Sequence, residues 1–186
     1  LGGEWIETRL LSSGPRTNPW FRECSMRIIE KGDLVSFDTD LIGPYGYCSD
    51  MSRSWLCGDK PSDEQRRLYA AAFEQIESNI AVLKAGRTFL EVAEQCWPIP
   101  EEFLSNRYSV SMHGVGLADE YPSIKHAVDV AGKAYDGVIE AGMTLCVESF
   151  IGSYGGREGV KLEEQVIVTE AGIERMSTYP FEIDWL

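Results

Sequence analysis

The sequence predicts an α+β fold in which helices cover one face of a curved antiparallel sheet. Three observations predict it: short alternating segments typical of strands, two stretches with helical spacing between them, and turns that suit antiparallel neighbours. The 186 residues contain no internal repeat and no Gly/Ser-rich linker, so we expect a single domain over residues 1–186.

Alternation of apolar and polar residues marks the strands. In residues 34–41, three apolar side chains are expected on one side and three polar ones on the other: Val35, Phe37 and Leu41 against Ser36, Asp38 and Asp40. A Gly-rich turn at residues 43–46 leads to a second strand near residues 52–57, so the two form a hairpin. Further strands are predicted near residues 107–112, 143–150 and 160–169.

Two helices are predicted between the strands. Ser62 suits an N-cap, with acidic residues in the first turn, and apolar residues continue at helical spacing until Gly86. Thr88 begins a second helix that ends near Trp97, because Pro98 interrupts it.

The composition excludes several classes of protein. With 17 basic and 30 acidic residues the formal charge is −13, which disfavours binding to nucleic acid. No apolar run reaches the roughly 20 residues of a membrane-spanning helix, so we expect a soluble protein without a membrane partner. The five cysteines form no C-x-x-C pair, which disfavours a disulfide framework and favours a reducing compartment. We expect these thiols to pack as small hydrophobes.

Acidic residues on the strands are the candidates for a metal site. The chain has two histidines, so carboxylates would have to supply most of the ligands. Four acids are expected on the polar faces of three strands: Asp38, Asp40, Glu148 and Glu163. The hairpin returns Asp50 to the same neighbourhood, and such acids repel one another unless a cation lies among them. The set suits manganese, iron or zinc better than copper. The alternative is that this face is simply exposed to solvent.

Glu164 is expected on the apolar face of its strand, unlike Glu163. It is therefore either a buried acid with a partner or a sign that the predicted alternation is displaced by one residue. We prefer Glu163 as the metal ligand, because it shares the polar face with Lys161 and Gln165.

Four segments, in order along the chain, resemble the motifs of the pita-bread metallopeptidase superfamily. The first two are FDTDLIGPYGYCSDMSRSW (37–55), which resembles the block with two aspartate ligands, and SMHGVGL (111–117), which resembles the block with the single histidine ligand. The others are AGMTLCVES (141–149) and GVKLEEQVIVTEAG (159–172), which resemble the blocks with a glutamate ligand and a bridging glutamate. The superfamily includes methionine aminopeptidase, prolidase, aminopeptidase P and creatinase. The resemblance implies a pita-bread fold with a two-metal site on its curved sheet.

Three departures from the peptidase pattern bear on the reaction. The run HGVGLADEYP has Asp119 where the peptidases have a second histidine. No histidine occurs near residues 13–21, where the peptidases have another. Those imidazoles help the peptidases to bind peptide and stabilise the tetrahedral intermediate, so peptide hydrolysis is disfavoured. The first block also carries Asp40 as an extra carboxylate.

With these departures the sequence resembles the dimethylsulfoniopropionate lyases, a branch of the same superfamily. The resemblance implies cleavage of a small zwitterionic sulfonium substrate to acrylate and dimethyl sulfide by β-elimination. It implies a cytoplasmic homodimer with two divalent metal ions, expected to be iron, with zinc or manganese as alternatives. The implied metal ligands are Asp38, Asp40, Asp50, His113, Glu148 and Glu163. The implied catalytic residues are Asp119 as the base and Tyr108, whose ring would bind the substrate.

The resemblance also bears on the extent of the chain. The lyases have an N-terminal domain and further helices before the point at which this sequence begins with Leu1. We therefore expect a metal-binding catalytic domain that is truncated at its N-terminus.

Other functions stay open at this stage. A metal-dependent Xaa-Pro peptidase or creatinase-like hydrolase would use the same metal ligands, and a non-catalytic relative would only bind. Asp119 could instead cap the turn before Pro122, and Tyr108 could be a plain core residue. His126 belongs to no motif and is expected on the surface or in a structural role.

Overall fold

The computed structural model describes residues 2–58, 60–132 and 134–186, in which three consecutive α-helices lie between two groups of short strands. The strands are β1 (Trp5–Ile6), β2 (Leu11–Ser13), β3 (Leu34–Asp38), β4 (Leu41–Ile42), β5 (Cys48–Ser49), β6 (Ser52–Leu56), β7 (Met112–Gly114), β8 (Ser123–Ile124), β9 (Thr144–Ile151), β10 (Val160–Val168) and β11 (Ile173–Arg175). The helices are α1 (Asp63–Val82), α2 (Phe89–Gln95) and α3 (Glu101–Leu104). Leu1 lies outside the described residues.

The described strands form three antiparallel sheets. The largest has the order β11–β10–β9–β7–β8, and two smaller ones have the orders β2–β3–β6 and β1–β4–β5. The long pair of β9 and β10 places Glu148 opposite Glu163 and Cys146 opposite Gln165. On the other side of β9, Cys146 lies opposite His113 of β7. Because directly opposed residues share a face, this register puts all five side chains on one face of the sheet.

Helix α1 covers the opposite face of the largest sheet. Its side chains of Leu68, Ala72 and Ile76 are buried at helical spacing, and they belong to one core with Val147 of β9 and Leu162 of β10. Each large aliphatic side chain that is fully buried stabilises the fold by about 1.5–3 kcal/mol. The prediction that helices cover one face of the sheet is confirmed. Within the described ranges, no helix combines the length and the hydropathy that crossing a membrane requires.

Both predicted helix starts are confirmed, but both helices end early. Ser62 and Thr88 each cap a helix through a reciprocal pair of hydrogen bonds with the residue three positions later. Helix α1 ends at Val82 instead of near Gly86, because Leu83 already has an extended backbone with ψ of 131°. Helix α2 ends at Gln95, before the predicted limit.

The predicted strand at residues 34–41 is interrupted. Asp40 has a φ of +33°, which breaks the strand after Asp38 and turns the chain into a different sheet. Leu41 therefore does not share a face with Val35 and Phe37, and Asp40 is not on the same strand as Asp38. Alternation alone does not reveal such a break, because the residue at the kink is not a glycine.

The strand predicted at residues 107–112 is also shorter than expected. It begins at Met112, although the backbone of Ser111 already pairs with Ile124 and Glu148 on its two sides. Arg107 is held away from the sheet, since its guanidinium lies 2.6 Å from the carboxylate of Asp129. Regular pairing of β7 with its neighbours therefore begins only after this anchored segment.

Glu164 is a buried acid with a partner, so the predicted alternation of β10 is not displaced. Its Oε2 lies 2.9 Å from Nη2 of Arg53, and both side chains are almost fully buried. Arg53 also donates hydrogen bonds to the backbone carbonyls of Glu163 and Tyr179. The pair thus connects β10 with β6 and with the C-terminal segment.

Candidate metal centre

The predicted metal ligands come together where the large sheet meets β3 and β6. Ligand atoms of Asp38, Asp40 and Asp50 lie within 4.8 Å of one another, and Asp50 also belongs to a second such group with His113 and Glu163. Most of these side chains are almost completely buried, so the alternative of a solvent-exposed polar face is wrong. Two groups that share one carboxylate suit a pair of neighbouring ions.

His113 lies between the carboxylates of two strands. Its Nε2 is 3.2 Å from Oε1 of Glu148 and 3.6 Å from Oε1 of Glu163. Burial lowers the pKa of His113, but the close carboxylates of Glu148 and Glu163 outweigh burial and raise it to about 12. Oε1 of Glu163 is buried and has no hydrogen-bond partner among the described residues. An orphaned carboxylate oxygen at this place fits a metal ion.

The acids of the cluster carry more negative charge than the site accommodates without cations. Burial, and next the charge of Glu163, raise the pKa of Asp50 to about 12. The same two causes raise the pKa of Glu148 to about 8, and burial raises that of Asp38 to about 7. Divalent ions would stabilise the ionised forms of these acids. The residues present therefore fit a metal centre.

Polar neighbours hold the carboxylates in place. Ser52 donates a hydrogen bond from its Oγ to Asp38 (2.6 Å) and lies 2.9 Å from Glu163. Oε1 of Gln165 accepts a hydrogen bond from the backbone N–H of Asp50 at 3.1 Å. Such outer contacts orient metal ligands and affect their affinity.

Lys161 is a residue of this cluster that the sequence analysis did not assign to the site. Its fully buried Nζ lies 2.7 Å from Oε2 of Glu148, 3.2 Å from Oε2 of Glu163 and 3.5 Å from Oδ2 of Asp38. The available signal was its position two residues before Glu163, which puts both side chains on one face of β10. Lys161 supplies the cluster with a resident positive charge.

Asp119 lies at the edge of the cluster. Its side chain is 11% exposed, and its Oδ1 is 3.6 Å from Nδ1 of His113. The same oxygen accepts a hydrogen bond from the backbone N–H of Glu120, so the turn-capping contact is present as well. Burial raises the pKa of Asp119 to about 6. A carboxylate of this kind can accept a proton near neutral pH.

Tyr108 lies beside Lys161 and beneath another aromatic ring. Its ring centroid is 4.7 Å from Nζ of Lys161, and the ring of Phe21 stacks on it with centroids 5.2 Å apart. Tyr108 is 5% exposed, whereas Phe21 is 59% exposed. No sequence pattern predicts a role for Phe21, because its left-handed φ of +68° leaves no local signal in the sequence.

His126 has the structural role that was one of its two predicted roles. It is buried, and its Nε2 lies 3.0 Å from the backbone carbonyl of Tyr108, to which it donates a hydrogen bond. Burial lowers the pKa of His126 to about 4. The neutral ring therefore supports the segment that carries Tyr108.

Comparison with known proteins relates this arrangement to a family. Residues 2–170 match metallopeptidase family M24. The chain is 50% identical over 185 residues to the Roseovarius nubinhibens protein named dimethylsulfoniopropionate lyase DddP, which covers 97% of this chain and 41% of that protein. It is 30% identical over 173 residues to the Xaa-Pro dipeptidase of Pyrococcus furiosus, which covers 90% of this chain and 46% of the relative.

Solved structures share the fold. The prolidase from Pyrococcus furiosus has a TM-score of 0.80 and 26% identity, with 96% of this chain and 51% of that chain covered. The X-Pro aminopeptidase from Thermotoga maritima has a TM-score of 0.77 and 27% identity, with 96% and 49% covered. These similarities confirm the predicted α+β fold of the pita-bread type. The chain spans about half of the length of these relatives or somewhat less.

Proposed function

Because the chain belongs to metallopeptidase family M24, we propose that the full-length protein is a metal-dependent carbon–sulfur lyase that cleaves dimethylsulfoniopropionate to acrylate and dimethyl sulfide. The observation that carries the proposal is the carboxylate of Asp119 at the edge of the acidic cluster, in the place where the peptidases have an imidazole. The 50% identity with a protein named as this lyase supports it.

Asp119 would act as the base of a β-elimination. Its carboxylate takes a proton from the carbon next to the substrate carboxylate. The electron pair of that C–H bond forms the C=C bond as the C–S bond breaks, and dimethyl sulfide leaves as a neutral molecule. The pKa of about 6 that burial gives Asp119 makes it a stronger base than an ordinary aspartate. An imidazole in this place could become cationic and repel the sulfonium.

Six side chains would hold two divalent ions in the acidic cluster: Asp38, Asp40, Asp50, His113, Glu148 and Glu163. We propose iron as the native metal, with zinc or manganese as alternatives that suit the same oxygen and nitrogen ligands. When bound, the ions neutralise the substrate carboxylate and the negative charge that develops beside it as the proton leaves.

The sulfonium would rest against the aromatic stack of Phe21 and Tyr108. An aromatic face within about 6 Å stabilises a cation by roughly 0.5–2 kcal/mol. Phe21 presents the exposed ring, and the buried ring of Tyr108 supports it. Phe21 is the ring offered to the sulfonium, because the ammonium of Lys161 already lies 4.7 Å from the centroid of the Tyr108 ring.

We further propose that the full-length protein is a cytoplasmic homodimer and that this chain is part of its metal-binding catalytic domain. All five cysteines are free, which supports a reducing compartment. The 41% share of the lyase relative that the chain covers supports a larger native protein. The dimer rests on the resemblance to the lyases.

The alternative function is hydrolysis of an Xaa-Pro dipeptide or a creatine-like amide. The 30% identity with an Xaa-Pro dipeptidase favours it, since that enzyme is named for this activity. The chain has two histidines, of which His113 lies in the acidic cluster and His126 supports Tyr108. Within the part of the protein that this chain spans, no further imidazole remains for the substrate side, so we prefer the lyase.

Headspace gas chromatography distinguishes these functions. The full-length, metal-loaded protein is expected to release dimethyl sulfide from dimethylsulfoniopropionate, with an equal amount of acrylate in solution, and to leave an Xaa-Pro dipeptide intact. Cleavage of the dipeptide without dimethyl sulfide would favour the hydrolase. Turnover of neither compound by fully metal-loaded protein would favour a binding protein.

A further inference from the structure

Cys146 lies among the candidate metal ligands, although the sequence predicts only a packing role for it. It is opposite His113 on one side and Gln165 on the other, so its thiol points to the face of the sheet that carries the acidic cluster. The residue is completely buried. One ligand atom each from Asp50, His113, Cys146 and Glu163 lie within 4.8 Å of one another.

A second observation points to an ion in this part of the cluster. Oε1 of Glu163 is buried without a hydrogen-bond partner among the described residues, and it lies 3.6 Å from Nε2 of His113. A buried acceptor without a partner costs free energy, which binding to an ion would remove. Sγ of Cys146 lies within 4.8 Å of a ligand atom of Glu163. Its thiol donates a hydrogen bond to the backbone oxygen of Asp50 at 3.7 Å, which a bond to the ion would replace.

We infer that Cys146 is a sulfur ligand of the ion that also binds Asp50, His113 and Glu163. The inference rests on the metal centre of the proposed function. On binding, the thiol releases its proton to solvent, and an electron pair of the sulfur forms the bond to the metal. Thiolate ligands favour softer ions such as iron, zinc and cobalt over manganese and magnesium. Cys146 therefore biases which metal the centre accepts.

Cobalt substitution tests the sulfur ligand directly. Metal-free full-length protein is titrated anaerobically with Co²⁺. The visible d–d absorption reports bound ion, and the near-ultraviolet thiolate-to-cobalt charge-transfer absorption reports a sulfur ligand. The wild-type protein is expected to show both. Cys146→Ser is expected to keep the visible absorption and lose the near-ultraviolet band, whereas Cys57→Ser, at a cysteine just after β6, is expected to keep both.

Each other outcome overturns the inference. Wild-type protein that binds Co²⁺ without a near-ultraviolet band would leave the metal centre intact and remove Cys146 from it, whether or not the serine variant folds. A band that persists in Cys146→Ser would assign the sulfur to another residue. Absence of bound Co²⁺ would remove the metal centre and the inference together. Dimethyl sulfide release is measured separately, so failure of the lyase proposal is distinguishable from all three.

Discussion

At the scale of single residues, Asp119 distinguishes elimination from the other functions. Asp119→Asn keeps the shape of the side chain but cannot accept a proton. We expect this variant to keep its fold and metal content and to lose turnover by about 10²–10⁴-fold, the range attributed to general base catalysis. The measurement is dimethyl sulfide release at saturating substrate, with the metal content determined in the same sample.

The matched control for this variant is Asp184→Asn, at an exposed aspartate of the C-terminal turn. It is expected to turn over substrate like the wild type. Near-normal release by Asp119→Asn would place the base elsewhere in the cluster and leave the lyase assignment to the family relationship alone.

His126 makes stability depend on pH. Burial lowers its pKa in the folded state to about 4, below the value of 6.5 that it has when unfolded. The unfolded chain therefore binds more protons between these values, so this contribution to stability is complete above about pH 6.5 and is lost as the pH falls towards 4. Between about pH 7 and pH 5 the wild type is expected to lose about 2 kcal/mol more of its free energy of unfolding than His126→Gln.

Urea denaturation of both proteins at each pH measures this difference. Comparison with the variant cancels the titration of the other groups, including Asp129, Arg107 and Lys125 around the ring. Equal pH dependence in the two proteins would contradict a neutral, buried His126.

At the scale of elements, one face of β10 belongs to the proposed metal site and the other face stabilises the fold. Glu163 faces the acidic cluster, and Glu164 on the next position pairs with buried Arg53. Glu163→Gln is expected to lose most of the bound metal. Glu164→Gln is expected to keep the metal but to lower the free energy of unfolding by about 3 kcal/mol, because it leaves the charge of Arg53 buried without the opposite charge of a carboxylate.

Elemental analysis and urea denaturation of both variants separate these effects. Glu170→Gln, at an exposed position just beyond β10, serves as the control that changes neither quantity. Full metal content in Glu163→Gln would remove this residue from the site, and metal loss in Glu164→Gln would show that the two faces are not independent.

Sequence patterns predict strands and helices in which apolar residues recur regularly better than they predict segments with an irregular backbone. The alternation in β9 and β10 places both strands within about two residues and puts Glu148 and Glu163 on the correct face. The break at Asp40 is not predictable in this way, because it depends on one left-handed backbone angle. The clustering of the metal ligands is predicted only through the resemblance of the four sequence blocks to a known family. Contacts between strands that are far apart in sequence leave no local pattern.

The positions of Lys161 and Cys146 within the site are likewise not predictable from local sequence patterns. Each lies on the same face of the sheet as Glu148 and Glu163, but lysine is ordinarily exposed and cysteine ordinarily packs as a hydrophobe. Their position among the ligands follows from the register of β9 with β10 and from the approach of β3 and β6. Only the assembled sheets reveal it.

At the scale of the whole molecule, metal and fold are expected to be coupled. The proposed ligands come from β3, the hairpin that follows it, β7, β9 and β10, so an ion would link segments that are far apart in sequence. Free metal at about 100 times its dissociation constant stabilises a folded protein by about 2.7 kcal/mol. Chelation should therefore lower the midpoint of thermal unfolding of the full-length protein by several degrees, and added divalent metal should restore it.

Scanning calorimetry before and after removal of metal measures this coupling. Addition of NaCl instead of divalent metal is the control and should not restore the midpoint. An unchanged midpoint after complete removal of metal would contradict the coupling between metal binding and folding.

Lys161 affects how the chain folds before it has bound any metal ion. Its ammonium group lies within 3.5 Å of three carboxylates that come from separate strands, so a newly synthesised chain carries its own counter-ion to that meeting point. We therefore expect that the chain can fold before it acquires its metals, although the bound ions would stabilise it further. A cell short of metal would then accumulate a folded, inactive reserve that is ready for loading, rather than an unfolded chain destined for proteolysis.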